Sequence, residues 1–352
     1  MNECKTMKVI RSLLNWIKEH PLIFLLLLIA GCILFFLLIF VIWVKPLIQA
    51  PFSESLNLPQ DEESRYPDWQ FQFDPANDTP VCGEQEDLLI LIAGIDYRSE
   101  DYLYGLADVI RLVHIDMTVP RVNVVALPRA LLVDVPEGRI DVDGPILLNQ
   151  AYFFGTPGMQ KYAGSGDGAG ALAEVIQYNF NLNADHYIVI DFQGFSGLID
   201  ALGGIEVDLP TAIDAGSAGF FPAGKQVLNG EQALLLARTR KNYSDNVRIS
   251  NQTLIIQGIF NRITSLDILL KLPDLMMELK ESVLTDAAPR QIQDALCLIN
   301  NLDSSKINYF QPEEDIIFAG WEVIPSMDKE MNIYEWNETF LQWLFESLYN
   351  TP

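Results

Sequence analysis

The chain has 352 residues, 47 acidic and 23 basic, for a formal charge of −24. That length suffices for a buried core in one large domain or two small ones, and 49% apolar against 20% charged residues excludes disorder over most of it. The acidity excludes a general nucleic-acid binder, which needs a basic face, and four cysteines are too few for a disulfide scaffold and fit no zinc spacing.

Mean hydropathy is nevertheless positive, which points to a membrane segment. Residues 21–44 run 24 positions without a charge. As a helix they reach about 36 Å, enough to span a bilayer with some tilt. Lys5, Lys8, Arg11 and Lys18 precede them, and an acid-rich stretch follows Lys45. Positive charge stays in the cytoplasm, so the expected topology is a single-pass cell-membrane protein with residues 1–20 inside and 46–352 outside. Ile29-Ala30-Gly31-Cys32 has the look of a lipoprotein cleavage box, but cleavage would leave a lipidated Cys32 followed by twelve more apolar residues. A retained anchor is the better reading. Cys4 is a cytosolic thiol on the plain reading and an acylation site on the other.

The outer segment carries 45 acidic and 18 basic residues. Residues 45–86 are rich in proline and acid and lack periodicity, so they read as a linker. From 87 onward the pattern turns α/β. Leu88–Ala93 is a continuous apolar run, as in a strand buried on both faces. Residues 109–115 and 122–127 read as two more strands, the second after a Pro120-Arg121 turn. A helix follows at 170–180, a strand at 187–192, and a helix at 195–202 stopped by Gly203-Gly204. Residues 215–224 read as a loop. Asn229 caps a helix beginning at Gly230, with Gln232 completing the capping box. Residues 250–263 form another amphipathic helix. Alternating strands and helices imply a three-layer α/β/α sandwich over 87–265. The remaining segment, 266–352, predicts helices at 266–283 (kinked at Pro273), 289–302 and 333–349, and a strand pair at 306–311 and 316–324. Whether it packs on the domain or stands apart is open.

Three short segments concentrate charge. Asp96 and Arg98 follow the first strand, and Arg129 follows the third, where α/β sheets bind ligands. The third segment holds Arg238, Arg240 and Lys241, with Asp245, Arg248 and Gln252 close behind. On a helix Arg238 and Arg240 would point about 200° apart. To share one anion, the chain must leave the helix by about residue 237. Arg248 and Gln252 lie four apart on one helical face, near a positive dipole end. Arginine suits bidentate phosphate recognition, and Asp96 with Asp108 would supply the few carboxylates that Mg²⁺ takes beside substrate phosphates. Structural surface Arg–Asp pairs are the plainer reading of the same residues. The histidines (His20, His114, His186) and the lack of a G-x-S-x-G elbow give no support to a serine hydrolase. Gly164–Gly170 lacks the Lys-Ser/Thr of a phosphate loop and no strand precedes it, so it reads as a flexible loop. Cys82 and Cys297 both lie on the outer segment; a disulfide tying linker to tail and two separate thiols are equally open.

Taken together, LLILIAGIDYR, the Asp of GLADVIRLVHID, VNVVALPR, LLNQAY, HYIVIDFQGFSGLIDALGGIEVDLP, FPAGKQVLNGEQALLLARTR and the Arg and Gln of RISNQ resemble the LytR-CpsA-Psr proteins of bacterial cell envelopes. The resemblance covers about residues 87–264 and the single anchor. It implies an extracytoplasmic transferase that moves a glycopolymer from a polyprenyl-pyrophosphate carrier to peptidoglycan. It also implies a lipid pocket in the sandwich, Mg²⁺ on Asp96 and Asp108, and a pyrophosphate site of Arg98, Arg129, Arg238, Arg240, Arg248 and Gln252. Asp96 and Arg129 would be the catalytic groups. The chain departs from the family at Leu106-Ala107-Asp108-Val109, where Arg-Ser/Thr-Asp-Thr is usual. It departs again at Ala130, where Asp is usual, at Leu147-Leu148-Asn149-Gln150, and at Asn251, where Arg is common. Those losses keep two further readings open, a silent carrier-binding scaffold protein and a polyprenyl pyrophosphatase.

Overall fold

A computed structural model describes His20 and residues 53–58, 81–83, 87–96, 105–239, 245–264, 283–302 and 304–349. The chain divides into two units, Met1–Ala50 with Ala288–Arg290, and Pro51–Ala287 with Gln291–Pro352. The expected membrane segment lies outside the described residues. Among the described ones, no helix is long and apolar enough to cross a membrane.

In the second unit, β1 (Asp87–Ile95), β2 (Ala107–Asp116) and β3 (Arg121–Ala126) form an antiparallel meander. A short pair, β4 (Leu132–Val133) and β5 (Ile146–Leu147), leads into α1 (Leu148–Gly155) and α2 (Asp167–Phe180). β6 (His186–Ile190) then adds parallel to β1. α3 (Phe192–Ala201) follows, then β7 (Ile205–Leu209), the small pair β8 (Ile213–Asp214) and β9 (Phe220–Phe221), and β10 (Gly224–Leu228), which pairs with β7. α4 (Gly230–Arg238) and α5 (Asp245–Ile263) come next. The last part holds β11 (Val283–Thr285), α6 (Pro289–Asn301), β12 (Ile307–Phe310), β13 (Phe318–Ile324), β14 (Lys329–Glu335) and α7 (Glu338–Tyr349). The main sheet is mixed, in the order β11-β6-β1-β2-β3-β12.

Strand alternation explains the uninterrupted apolar run of β1. Leu89, Leu91, Ala93 and Ile95 join a cluster with Leu172, Ile176, Phe340 and Leu344 of α2 and α7. Leu88, Ile90 and Ile92 face the other way, toward Phe260 of α5 and Leu298 of α6. Each fully buried Leu or Ile contributes roughly 1.5–3 kcal/mol. A third cluster, with Ile199, Val207, Leu236 and Ile255, joins α3, β7, α4 and α5 into one block beside the sheet.

The expected capping box is present: Gln232 N donates to Asn229 Oδ1 at 2.9 Å and Asn229 N to Gln232 Oε1 at 3.1 Å. Gly203 and Gly204 take φ of 78° and 91° just past α3, as their stop role requires. Cys82 and Cys297 form a disulfide. α3 and α4 approach so closely that a Cβ on Gly230 would lie 2.2 Å from Ser196 O. Gly230→Ala should therefore lower stability by about 1–3 kcal/mol, read as a drop in Tm; an unchanged Tm would contradict that contact.

Several elements differ from expectation. Residues 333–335 are strand, not helix, because Ile333 pairs with Gly320 in a β13–β14 hairpin. The segments 306–311 and 316–324 do not pair with each other; β12 joins β3 in the main sheet and β13 joins β14. Of the helix expected at 266–283, Val283 is in strand β11 and the rest lies outside the described residues. The tail thus supplies both outer strands of the sheet, which extends beyond the 87–265 span. The loop at 164–170 ends at Gly166, where α2 starts. Part of the expected linker is docked: Leu56 N donates to Asp286 Oδ2 at 3.1 Å, and Leu56 and Leu58 pack on the core. Helix α1 went unforeseen. Its eight residues carry no periodic polar face, because nearly all of them are buried.

Candidate functional site

A cavity of about 290 Å³ opens at the C-terminal ends of β1 and β6, beside the start of β2. Gly94, Ile95 and Asp96 come from the end of β1, and Leu106, Asp108 and Val109 from the entry to β2. Arg129 arrives three residues after β3. Ile190, Asp191, Phe192 and Phe195 follow β6 into α3. Leu234, Ala237 and Arg238 close the wall from α4, and Arg248 and Gln252 from α5. Of the eight expected site residues, six line this one cavity: Asp96, Asp108, Arg129, Arg238, Arg248 and Gln252. Arg98 and Arg240 lie outside the described residues.

Each side chain is held by its element. Asp96 is 7% exposed. Its Oδ1 accepts from Leu106 N at 2.6 Å, and its own N–H donates to Leu106 O at 3.1 Å. The β1–β2 connection is thereby pinned at the cavity rim. Arg129 Nη1 donates to Asp108 Oδ1, so expected cation and expected metal ligand are also partners. Arg129 Nε is buried and has no partner among the described residues. Arg238, the last residue of α4, is exposed and sits over the Phe192 ring at 4.5 Å. The helix runs one residue beyond the exit expected from the Arg238/Arg240 spacing, and Thr239 is already extended. α5 begins at Asp245 instead of 250, which places Arg248 in its first turn, at 3% exposure. Gln252 Nε2 donates to Ala237 O at 3.2 Å.

The departures are visible too. Leu106 lines the cavity where the resemblance has Arg. Ala130 is buried, and its carbonyl accepts from Tyr334 N at 2.8 Å. Asn251 is 4% exposed, and its Nδ2 has no partner among the described residues. The histidines are elsewhere. His114 is in register with Leu89 and His186 with Ile90, at least four residues from Gly94 along β1. At strand rise that is over ~13 Å from the cavity end. They face Asp87 and Asp286 instead, each at 3.3 Å.

The LytR_cpsA_psr family profile matches residues 55–336. The chain belongs to the LytR-CpsA-Psr family. The match takes in the docked residues of the linker and most of the tail. A TagU of Oceanobacillus iheyensis, a polyisoprenyl-teichoic acid–peptidoglycan teichoic acid transferase, is 29% identical over 258 residues, 71% of this chain and 74% of that one. A TagU of Enterococcus faecalis is 28% identical over 57% of this chain and 62% of its own. The crystal structure of Bacillus subtilis TagV superposes with a TM-score of 0.60 over 77% of this chain and all of that one, at 24% identity. A structure of TagT bound to LIIa-WTA gives 0.56 over 76% of this chain and 91% of its own, at 17% identity. The α/β fold of this LytR-CpsA-Psr protein is therefore shared with them, and its curated relatives are transferases.

Sequence reasoning passed over three features of the site. Asp191 lines the cavity and caps α3, accepting from Gly194 N at 2.7 Å. Its place at the end of a strand was the available signal. Phe192, Phe195 and Leu234 give the cavity an apolar side, and in sequence they are indistinguishable from core. Arg111, inside β2 at 2% exposure, donates to the cavity residue Gln252, and an apolar run hides it in the sequence.

Proposed function

We propose that this protein is an extracytoplasmic, Mg²⁺-dependent phosphotransferase. It moves a glycopolymer from a polyprenyl-pyrophosphate carrier to peptidoglycan. The observation that carries this reading is the convergence of three carboxylates (Asp96, Asp108 and Asp191), three arginines and an apolar wall on one cavity. The relatives' activity supports the same donor and acceptor classes.

Asp96 and Asp108 fit Mg²⁺ in donor type and number, since that ion takes one or two protein carboxylates beside phosphate and water. They would hold it, and when bound it supplies charge neutralisation on the pyrophosphate. Arg129, Arg238 and Arg248 bind phosphate oxygens, Arg129 through the Nε that has no partner among the described residues. In the reaction an acceptor hydroxyl attacks the sugar-linked phosphorus. The P–O bond to the carrier's other phosphate breaks, a phosphodiester forms and polyprenyl phosphate leaves. Asp96 takes the hydroxyl proton. Fixed positive charge at the site favours the added negative charge of the transition state. Phe192, Phe195 and Leu234 give the first isoprene units an apolar wall. The anchor at 21–44 keeps the site at the membrane that holds the carrier, with the N-terminus cytoplasmic.

The test is to incubate the full chain in detergent with a short polyprenyl pyrophosphate, with and without Mg²⁺, and follow products by chromatography. Mg²⁺-stimulated cleavage is expected, with transfer when a glycan acceptor is added. Cleavage that only water supports would make it a pyrophosphatase. Tight binding without turnover would make it a silent carrier-binding protein, the reading that Leu106 and Asn251 favour.

A further inference from the structure

Arg111 is the largest of the fully buried side chains, and it sits in the middle of the sheet, in register with Ile92 of β1 and Ala126 of β3. Its Nη1 donates to Ile110 O at 3.0 Å and its Nη2 to Gln252 Oε1 at 3.2 Å. No carboxylate among the described residues accepts from it. The charge acting on it is another cation, Arg248, itself 3% exposed. Burial first, and then Arg248, pulls the Arg111 guanidinium down to about 9. A buried charge without a counter-ion is strongly unfavourable, and an apolar residue would fit a central strand better.

What the arginine does becomes clear from the bonds that lead away from it. Gln252 accepts from Arg111 with its oxygen and donates to Ala237 O with its nitrogen. Ala237 immediately precedes Arg238 at the end of α4. Both ends of the Gln252 amide are therefore fixed, and β2, α5 and α4 are joined behind the cavity wall. Arg111 and Arg248 also bring two buried positive charges together, Arg248 in the cavity lining and Arg111 one hydrogen bond behind it through Gln252, in a low-dielectric setting that strengthens their field.

We propose that Arg111 is a positioning residue that orients Gln252 and the Arg238 turn, and that its charge, with Arg248, makes the cavity select pyrophosphate over a single phosphate. This rests on the phosphotransferase reading and names a residue that sets its anion specificity.

The probes are inorganic pyrophosphate and inorganic phosphate, titrated calorimetrically without Mg²⁺ into the full chain in detergent. Arg111→Met should weaken pyrophosphate binding by at least about tenfold and phosphate binding less. Its Tm should hold or rise, because an uncompensated buried charge is gone. A merely structural arginine would do the reverse, lowering Tm and leaving affinity alone. Arg111→Lys should recover part of the pyrophosphate affinity, since it restores charge without the planar fork. If Arg111→Met does not fold, Arg111→Gln decides, because it removes the charge while keeping a donor for Gln252 Oε1, and it should cause a similar loss. Folded variants with wild-type pyrophosphate affinity overturn the inference. A wild-type chain that binds neither anion overturns the phosphotransferase reading itself.

Discussion

Arg129→Ala is expected to lower turnover on a polyprenyl-pyrophosphate donor by roughly 10²–10³-fold, the usual effect of removing one fixed donor at a developing negative charge. The protein should remain folded. The Arg129 side chain is 19% exposed and its partner Asp108 26%, so solvent replaces the lost ion pair at little cost. Arg129→Lys should restore only part of the rate, because an ammonium cannot bridge Asp108 and a phosphate oxygen with one rigid fork. Asp108→Asn should be comparably slow. Since the two side chains bond to each other, the double variant should lose less than the product of the single losses. Single-turnover rates on the four proteins decide this. Turnover that survives in Arg129→Ala would remove the cavity from consideration as the active site.

The second large effect concerns the crosslink. Cys82 and Cys297 are 215 positions apart, so the disulfide restrains a long loop in the unfolded chain. On the loop-entropy account that restraint is worth about 5 kcal/mol. Replacing both with serine should therefore lower Tm strongly while leaving activity near normal below the transition. The reason is position. Cys82 belongs to an apolar cluster with Leu88, Met117 and Leu298, at the opposite end of β1 from Gly94 and the cavity. A double variant that melts like the parent would refute this. The same bond bears on topology. Protein trapped with a thiol-blocking reagent from intact cells should carry the crosslink if residues 46–352 are outside, and a reduced pair would argue for the cytoplasm.

Local chemistry made much of this protein legible. The apolar run of β1 announced a strand buried on both faces because side chains alternate, and both faces are packed. The Asn229–Gln232 box and the Gly203-Gly204 stop are short-range devices, readable wherever they occur. Asp96, Arg129 and Arg248 could be singled out because they stand after strands or near a helix start, where α/β sheets bind ligands, although structural ion pairs were the plainer reading until the fold brought them, with Arg238, to one cavity. Tertiary structure decided the rest. β12 could not be assigned to β3 from sequence, because a parallel partner 185 residues away leaves no local mark. Ile333 had a helical surround, and only the pairing with Gly320 made it strand. Phe192 and Leu234 face a cavity although their sequence signal is that of core, since hydrophobicity reports leaving water but not what is met inside. Arg111 is the clearest case. One charge in an apolar strand looks like an exposed position, and only the packing of α5 over β2 turned it into a buried cation beside Arg248.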